Sequence, residues 1–160
     1  MIGFSMHEIM EGTHQFETDF SNLADDRYMN FSIKWSAKSL LSFLNPFSKS
    51  FLVSDVDGTI TIDGLCIAAP CKGTMALKYF TNSSIEYKFD FNVDGKDYKY
   101  DGKKINIKPW NLPKTHTTCY GTVKESVTGA LVSTSITFFR LWRIPSFLGS
   151  FRLTKGNKYV

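Results

Sequence analysis

The chain has 160 residues, of which 42% are hydrophobic and 21% charged, with a formal net charge of +4. That length suits one domain with a true core, and the lack of any eighteen-residue apolar run excludes a membrane-spanning helix. Lys and Arg are scattered through strand-like segments, which argues against nucleic-acid binding.

In chain order, Met6 to Glu17 reads as a first strand, with Gly12 as a bulge or close-approach point. Residues 22–27 (NLADDR) are polar and loop-like. From Tyr28 to Trp35 the pattern alternates, with Met29, Phe31, Ile33 and Trp35 on one face. The period then changes. Ser36 can cap a short helix whose Leu40, Leu41, Leu44 and Phe47 form one stripe, and Pro46 ends it. Strands resume near Phe51 and run to Ile62 through a turn at Asp57-Gly58, since Asp-Gly between alternating segments is a strong hairpin signal. A further strand covers Lys72 to Phe80. Ile85 to Ile107 is the clearest hairpin. Ile85, Tyr87, Phe89, Phe91 and Val93 share a face, Asp94-Gly95 turns the chain, and Asp101-Gly102 offers a second turn or bulge. The loop KPWNLPKTH interrupts with two prolines, and strands near Thr117–Glu125 and Ala130–Phe139 flank Gly129. Short strands at this spacing predict an all-β domain over 1–160, mainly an antiparallel barrel or sandwich with one or two short helices.

Residues 51–61, FLVSDVDGTIT, resemble the first motif of haloacid-dehalogenase-type phosphatases. In that reading Asp55 is the nucleophile, Asp57 the acid/base, and both help hold magnesium. The downstream acids are Asp63, Glu86, Asp90, Asp94, Asp97, Asp101 and Glu125. No adjacent pair exists to complete an oxygen-ligand site, and no amphipathic helix follows the motif. The turn reading is therefore preferred, with phosphatase chemistry at Asp55 and Asp57 as the alternative. Cys66, Cys71 and Cys119 and the three histidines show no metal-ligand spacing, so no metal or other cofactor is expected. His7, His14, His116 and Glu8 are candidate bases for a lipid-acting barrel enzyme, but nothing in their spacing brings two of them together. An odd cysteine count and a start without a basic-then-apolar leader suit a cytoplasmic protein.

The aromatic share is high at 15%, with 14 Phe, 7 Tyr and 3 Trp. Rings in strands favour sheet packing and also line apolar cavities. This points to a non-enzymatic module for an apolar or lipid-like ligand, a partner protein or a membrane surface. Its candidate contacts are Trp35, Phe89, Phe91, Trp110, Phe138, Phe139 and Trp142, each with core filling as the plainer role. Residues 136–153 (ITFFRLWRIPSFLGSFRL) read as an interfacial patch over 138–151, with Arg140 and Arg143 at headgroups, as a lid, or as an apolar segment packed on the barrel. Packing is the plainest of the three. An edge strand at Tyr28–Trp35 would allow a homodimer.

The runs HEIMEG, YKFDFNVDGKDYKYDGKKI, PW and TTCYGTV resemble the β-rich accessory region of cholesterol-oxidase-like glucose–methanol–choline oxidoreductases. The positions that carry this include Glu8, Met10, Gly12, Gly64, Gly73, Phe89, Phe91, Gly102, Lys103, Trp110 and Tyr120. No Gly-x-Gly-x-x-Gly flavin fingerprint accompanies them, so the resemblance implies a stand-alone accessory module for a sterol or lipid-like partner, without the oxidase activity.

Overall fold

Alternation of apolar and polar residues becomes a closed wall. In the computed structural model, which describes residues 1–108, 110 and 117–155, nine antiparallel strands run in chain order. They are β1 (Ile2–Phe16), β2 (Arg27–Ala37), β3 (Val53–Ile62), β4 (Cys66–Lys78), β5 (Ser84–Val93), β6 (Lys96–Lys104), β7 (Thr118–Glu125), β8 (Leu131–Phe138) and β9 (Arg152–Lys155). Each of β2 to β8 pairs with its sequence neighbour. The long β1 pairs β2 over Phe4–His14 and β8 over Glu11–Phe16, which shuts an eight-stranded barrel. The short β9 lies against the free part of β1, opposite Ile2–Ser5. Helix α1 (Leu40–Leu44) joins β2 to β3, and a 3₁₀ turn (Leu141–Arg143) followed by helix α2 (Ile144–Gly149) joins β8 to β9. No described helix is long and apolar enough to cross a membrane.

Nearest-neighbour connectivity places alternate connections at alternate ends of the barrel. One end, here the hairpin end, carries 17–26, 63–65, 94–95 and 126–130. The opposite, helix end carries 38–52, 79–83, the described residues 105–108, 110 and 117 of the connection after β6, and 139–151.

Inward-facing positions fill the lumen. Tyr87, Tyr100, Phe31, Phe89, Met10 and Met29 are fully buried. Phe31 packs on Phe89 and Tyr100 at centroid distances of 5.3 and 5.4 Å. Burying each such ring is worth about 2–3 kcal/mol.

Several expectations are corrected here. Asp57-Gly58 does not turn: β3 runs through it, and the turn falls at Asp63-Gly64, where Gly64 has φ +88°. Gly58 is glycine because a Cβ there would sit 2.1 Å from the Ser32 carbonyl oxygen on β2. Asp101-Gly102 likewise lies inside β6, and Gly102 leaves room for the Tyr100 ring and the Cys119 sulfur. The Asp94-Gly95 turn is present. β4 begins at Cys66, ahead of the expected Lys72, and a register shift between Ile60 and Ile62 accommodates its start. β2 is bonded on both sides, so it is no edge; among the described strands the open edge belongs to β9. The helix cap is Ser39, not Ser36. The expected stripe is divided: Phe43 enters the core against Phe4 with Leu40 packed beside it, while Leu41 and Leu44 of the helix and Phe47 after it are exposed.

Candidate functional site

Inside the barrel, one group of polar side chains interrupts the rings. Lys104 on β6 donates to Glu8 Oε1 on β1 at 2.7 Å, and the Tyr87 hydroxyl on β5 lies 3.2 Å from both Glu8 oxygens. Lys104 Nζ also stands 5.4 Å from the Tyr87 ring centroid. Next to this group the Tyr100 hydroxyl lies 3.5 Å from Cys119 Sγ. The hydroxyl of Ser133 on β8 and Nδ1 of His14 on β1 are buried without a hydrogen-bond partner. Ser135 and Thr137 face the Tyr100 phenol.

Burial dominates the electrostatics of the phenols and thiols here. Burial pushes the Tyr87 and Tyr100 phenols well above their ordinary range, with Glu8 and Cys119 adding to it. Burial raises the Cys119 thiol to about 11 and the Cys71 thiol to about 12. A thiol held protonated at neutral pH is a weak nucleophile. Burial also lowers His14, whose Nε2 lies 2.9 Å from the Asp63 carbonyl oxygen. Of the expected bases, Glu8 is the ion-pair partner of Lys104, His7 is exposed beside Ser32, and His116 lies outside the described residues. Glu8 was named in the sequence as an isolated base. Its partner Lys104 was not, because the two are 96 positions apart and meet only across the lumen.

The Asp55 and Asp57 side chains stand on the outer face of β3. The motif they resemble needs a strand end followed by a helix, whereas here the strand continues between two antiparallel neighbours. Asp57 lies opposite Lys34 on one side and Lys72 on the other, so its cross-strand neighbours on the outer face carry the opposite charge. Among the described residues no cluster of three His, Cys, Asp or Glu side chains could hold a metal ion.

The expected ligand-contact residues fall into two groups. Phe89 and Phe91 are buried core rings, stacked on Tyr100 and Tyr98. Trp35 is half-buried between Phe4 and Phe147, with its indole N–H unpartnered. The half-buried Phe139 packs edge-on to Phe147, and half-buried Phe138 carries Arg140 5.6 Å from its ring. Trp110 and Trp142, by contrast, are 80% and 70% exposed.

These last two belong to a larger surface. Most large apolar side chains that the structure exposes are gathered at the helix end, including Phe47 at 96% and Phe80 at 84%. The connections there touch in a ring. Phe51 stacks on Phe80 at 6.5 Å, and the Ser83 carbonyl accepts from Ile107 N at 2.9 Å. The Thr117 carbonyl accepts from Phe139 N at 2.7 Å. Phe4 closes the circle between Phe43 at 5.0 Å and Phe151 at 6.1 Å. Segment 139–151 is thus split: Phe139 and Phe147 pack inward, whereas Leu141, Trp142, Ile144 and Leu148 face out. Packing on the barrel accounts for only half of it. Arg143 lies over the Trp142 ring at 4.3 Å, and Arg140 and Arg143 both reach Glu11.

Two concavities adjoin the wall. One of about 490 Å³ lies along β7, β8 and β1 and is lined by Thr13, Gln15, Asp26, Tyr120 and Thr134. Another of about 330 Å³ lies beside α1, between Lys38, Ser39, Ser42 and Asp55. Neither is an apolar lumen cavity.

Compared with protein-family models, curated proteins and solved structures, the chain matches none of them.

Proposed function

We propose that this barrel is a non-enzymatic module that docks on a lipid surface through its helix end. The observation that carries this is the ring of exposed apolar side chains around one barrel mouth, with Leu41, Phe47, Phe80, Trp110, Trp142 and Leu148 among them. A monomeric globule scatters exposed apolar residues singly, and a contiguous apolar patch marks an interaction surface. Tryptophan beside arginine at the rim of such a patch suits the boundary between hydrocarbon and headgroups. The filled lumen supports the surface reading over an internal ligand, since Phe89, Phe91, Tyr87 and Tyr100 already occupy the space an apolar molecule would need. The resemblance to the accessory region of cholesterol-oxidase-like oxidoreductases points the same way, toward a lipid-like partner.

The test is co-sedimentation of the full chain with phospholipid vesicles, read alongside tryptophan fluorescence. Docking predicts pelleting with the vesicles and a blue shift as Trp110 and Trp142 leave water. Phe47→Ser with Trp142→Ser should abolish pelleting while the unfolding midpoint stays put. A chain that stays in the supernatant with every vesicle composition would remove this reading.

A further inference from the structure

We infer that the lipid surface is an anionic one, and that the barrel stands on it end-on with its acidic end turned away. This rests on the docking reading above and adds the chemistry of the partner. The connections at the two ends of the barrel carry opposite charge, with Arg27 at the start of β2 bridging Asp25 and Asp63 at the hairpin end. The hairpin-end connections hold Glu17, Asp19, Asp25, Asp26, Asp63 and Asp94 and contain no Lys or Arg. The helix-end connections and β9 contain no Asp or Glu. They hold Lys38 and Lys49 between β2 and β3, Lys108 after β6, Arg140 and Arg143 after β8, and Arg152 and Lys155 on β9.

Tilted strands of nine or ten residues separate the two ends by roughly 20–25 Å. That exceeds the screening distance of about 8–10 Å in physiological salt, so each end acts on its surroundings separately. Glu11 draws on Arg140 and Arg143 at 3.3 and 3.8 Å. Lys38, Lys49 and Lys155 are exposed, with no acid on the connections that carry them. An anionic membrane is the partner that answers both halves of this pattern. Basic groups near its surface gain from its negative potential, and the apolar side chains between them enter the interface. A nucleic acid would use the bases but leave Leu41, Phe47, Phe80 and Leu148 without a function. A cytoplasmic leaflet, which carries the anionic lipids, is the natural surface.

The experiment compares vesicles of phosphatidylcholine alone with equimolar phosphatidylcholine and phosphatidylserine, using the full chain. The expected result is at least tenfold tighter binding to the anionic vesicles. The excess should disappear as salt rises and the screening length falls from about 10 Å at 0.1 M to about 3 Å at 1 M. A variant with Lys38→Glu, Lys49→Glu and Lys155→Glu should lose about a hundredfold on anionic vesicles and nothing on neutral ones. Asp19→Lys at the far end should leave both unchanged. Equal binding to the two compositions, insensitive to salt, overturns the inference while leaving docking intact. Binding to neither overturns docking itself. Displacement of the anionic vesicles by an oligonucleotide at equal charge concentration would assign the basic end to a nucleic acid instead.

Discussion

Lys104 Nζ lies 2.7 Å from Glu8 Oε1 in a lumen otherwise packed with aromatic rings, and both side chains are almost fully buried. Removing one partner strands the other charge away from water. Glu8→Leu or Lys104→Met should each destabilise the barrel by about 3–5 kcal/mol. The paired change Glu8→Leu with Lys104→Met should cost far less than the sum of the single changes. Urea unfolding of the four proteins checks this, and strict additivity would mean that the two groups are independent.

Gly121 on β7 sits against the same group. A Cβ there would lie 2.5 Å from the Tyr100 hydroxyl and 2.7 Å from Ser135 Oγ. Gly121→Ala should therefore cost about 1–3 kcal/mol by overpacking. Tyr100 Cε2 lies equally close at 2.5 Å, so adding Tyr100→Leu, which removes both the hydroxyl and the ring edge, should cost less than the sum of the two single changes. Losses that simply add would show that the crowding lies elsewhere.

Helix α1 and the turn after it present two phenylalanines in contrasting surroundings. Phe43 is 7% exposed and meets Phe4 edge-on, whereas Phe47 is 96% exposed. Phe43→Ala should lower stability by about 3–5 kcal/mol. Phe47→Ala should stay within about 0.5 kcal/mol of the parent. Equal losses in thermal unfolding would place Phe47 in the core and remove it from the docking surface.

Stability should fall with pH in two stages. Burial holds His14 below the ordinary histidine value of 6.5, so its imidazole stays neutral in the folded state after the unfolded chain has begun to bind a proton. The unfolded state then carries more protons, and stability declines as pH drops below 6.5. Glu86 sits below the ordinary 4.5 because Lys78 and Lys103 bond it. Its contribution is complete above 4.5 and is lost below it. His14→Asn should flatten the first stage and leave the second. Chemical denaturation at stepped pH gives both, and an unchanged slope between pH 7 and 5 in His14→Asn would assign that stage to another group.

Reversing Asp57 tests the outer face of β3. Opposite Lys34 and Lys72, Asp57→Lys would align three like charges across adjacent strands. A loss of about 0.5–1 kcal/mol is expected, shrinking in high salt. A loss that ignores salt would point to packing in place of charge.

Strands were legible in the sequence wherever one face is lumen and the other water. Ile85 to Val93 and the Asp94-Gly95 turn follow directly from alternation. Asp-Gly misled at 57–58 and 101–102 because glycine also serves where a neighbouring backbone or ring comes too close for a Cβ, a three-dimensional reason that a dipeptide does not carry. The apolar stripe of Leu40, Leu41, Leu44 and Phe47 was legible, but not its surroundings, since periodicity marks a face without saying what the face meets. The separation of charge was hidden for a different reason. Along the chain, acids and bases look scattered; only alternate connections of a closed antiparallel barrel sort them to opposite ends.

The unusual length of β1 has a kinetic consequence. Seven of the eight staves can zip onto the strand before them in the sequence, but the wall stays open until residues 11–16 find residues 133–138, far down the polypeptide. Shutting that seam requires a loop closure spanning most of the molecule. Refolding should be limited by this final step, with hairpins protected early and the β1–β8 amides last.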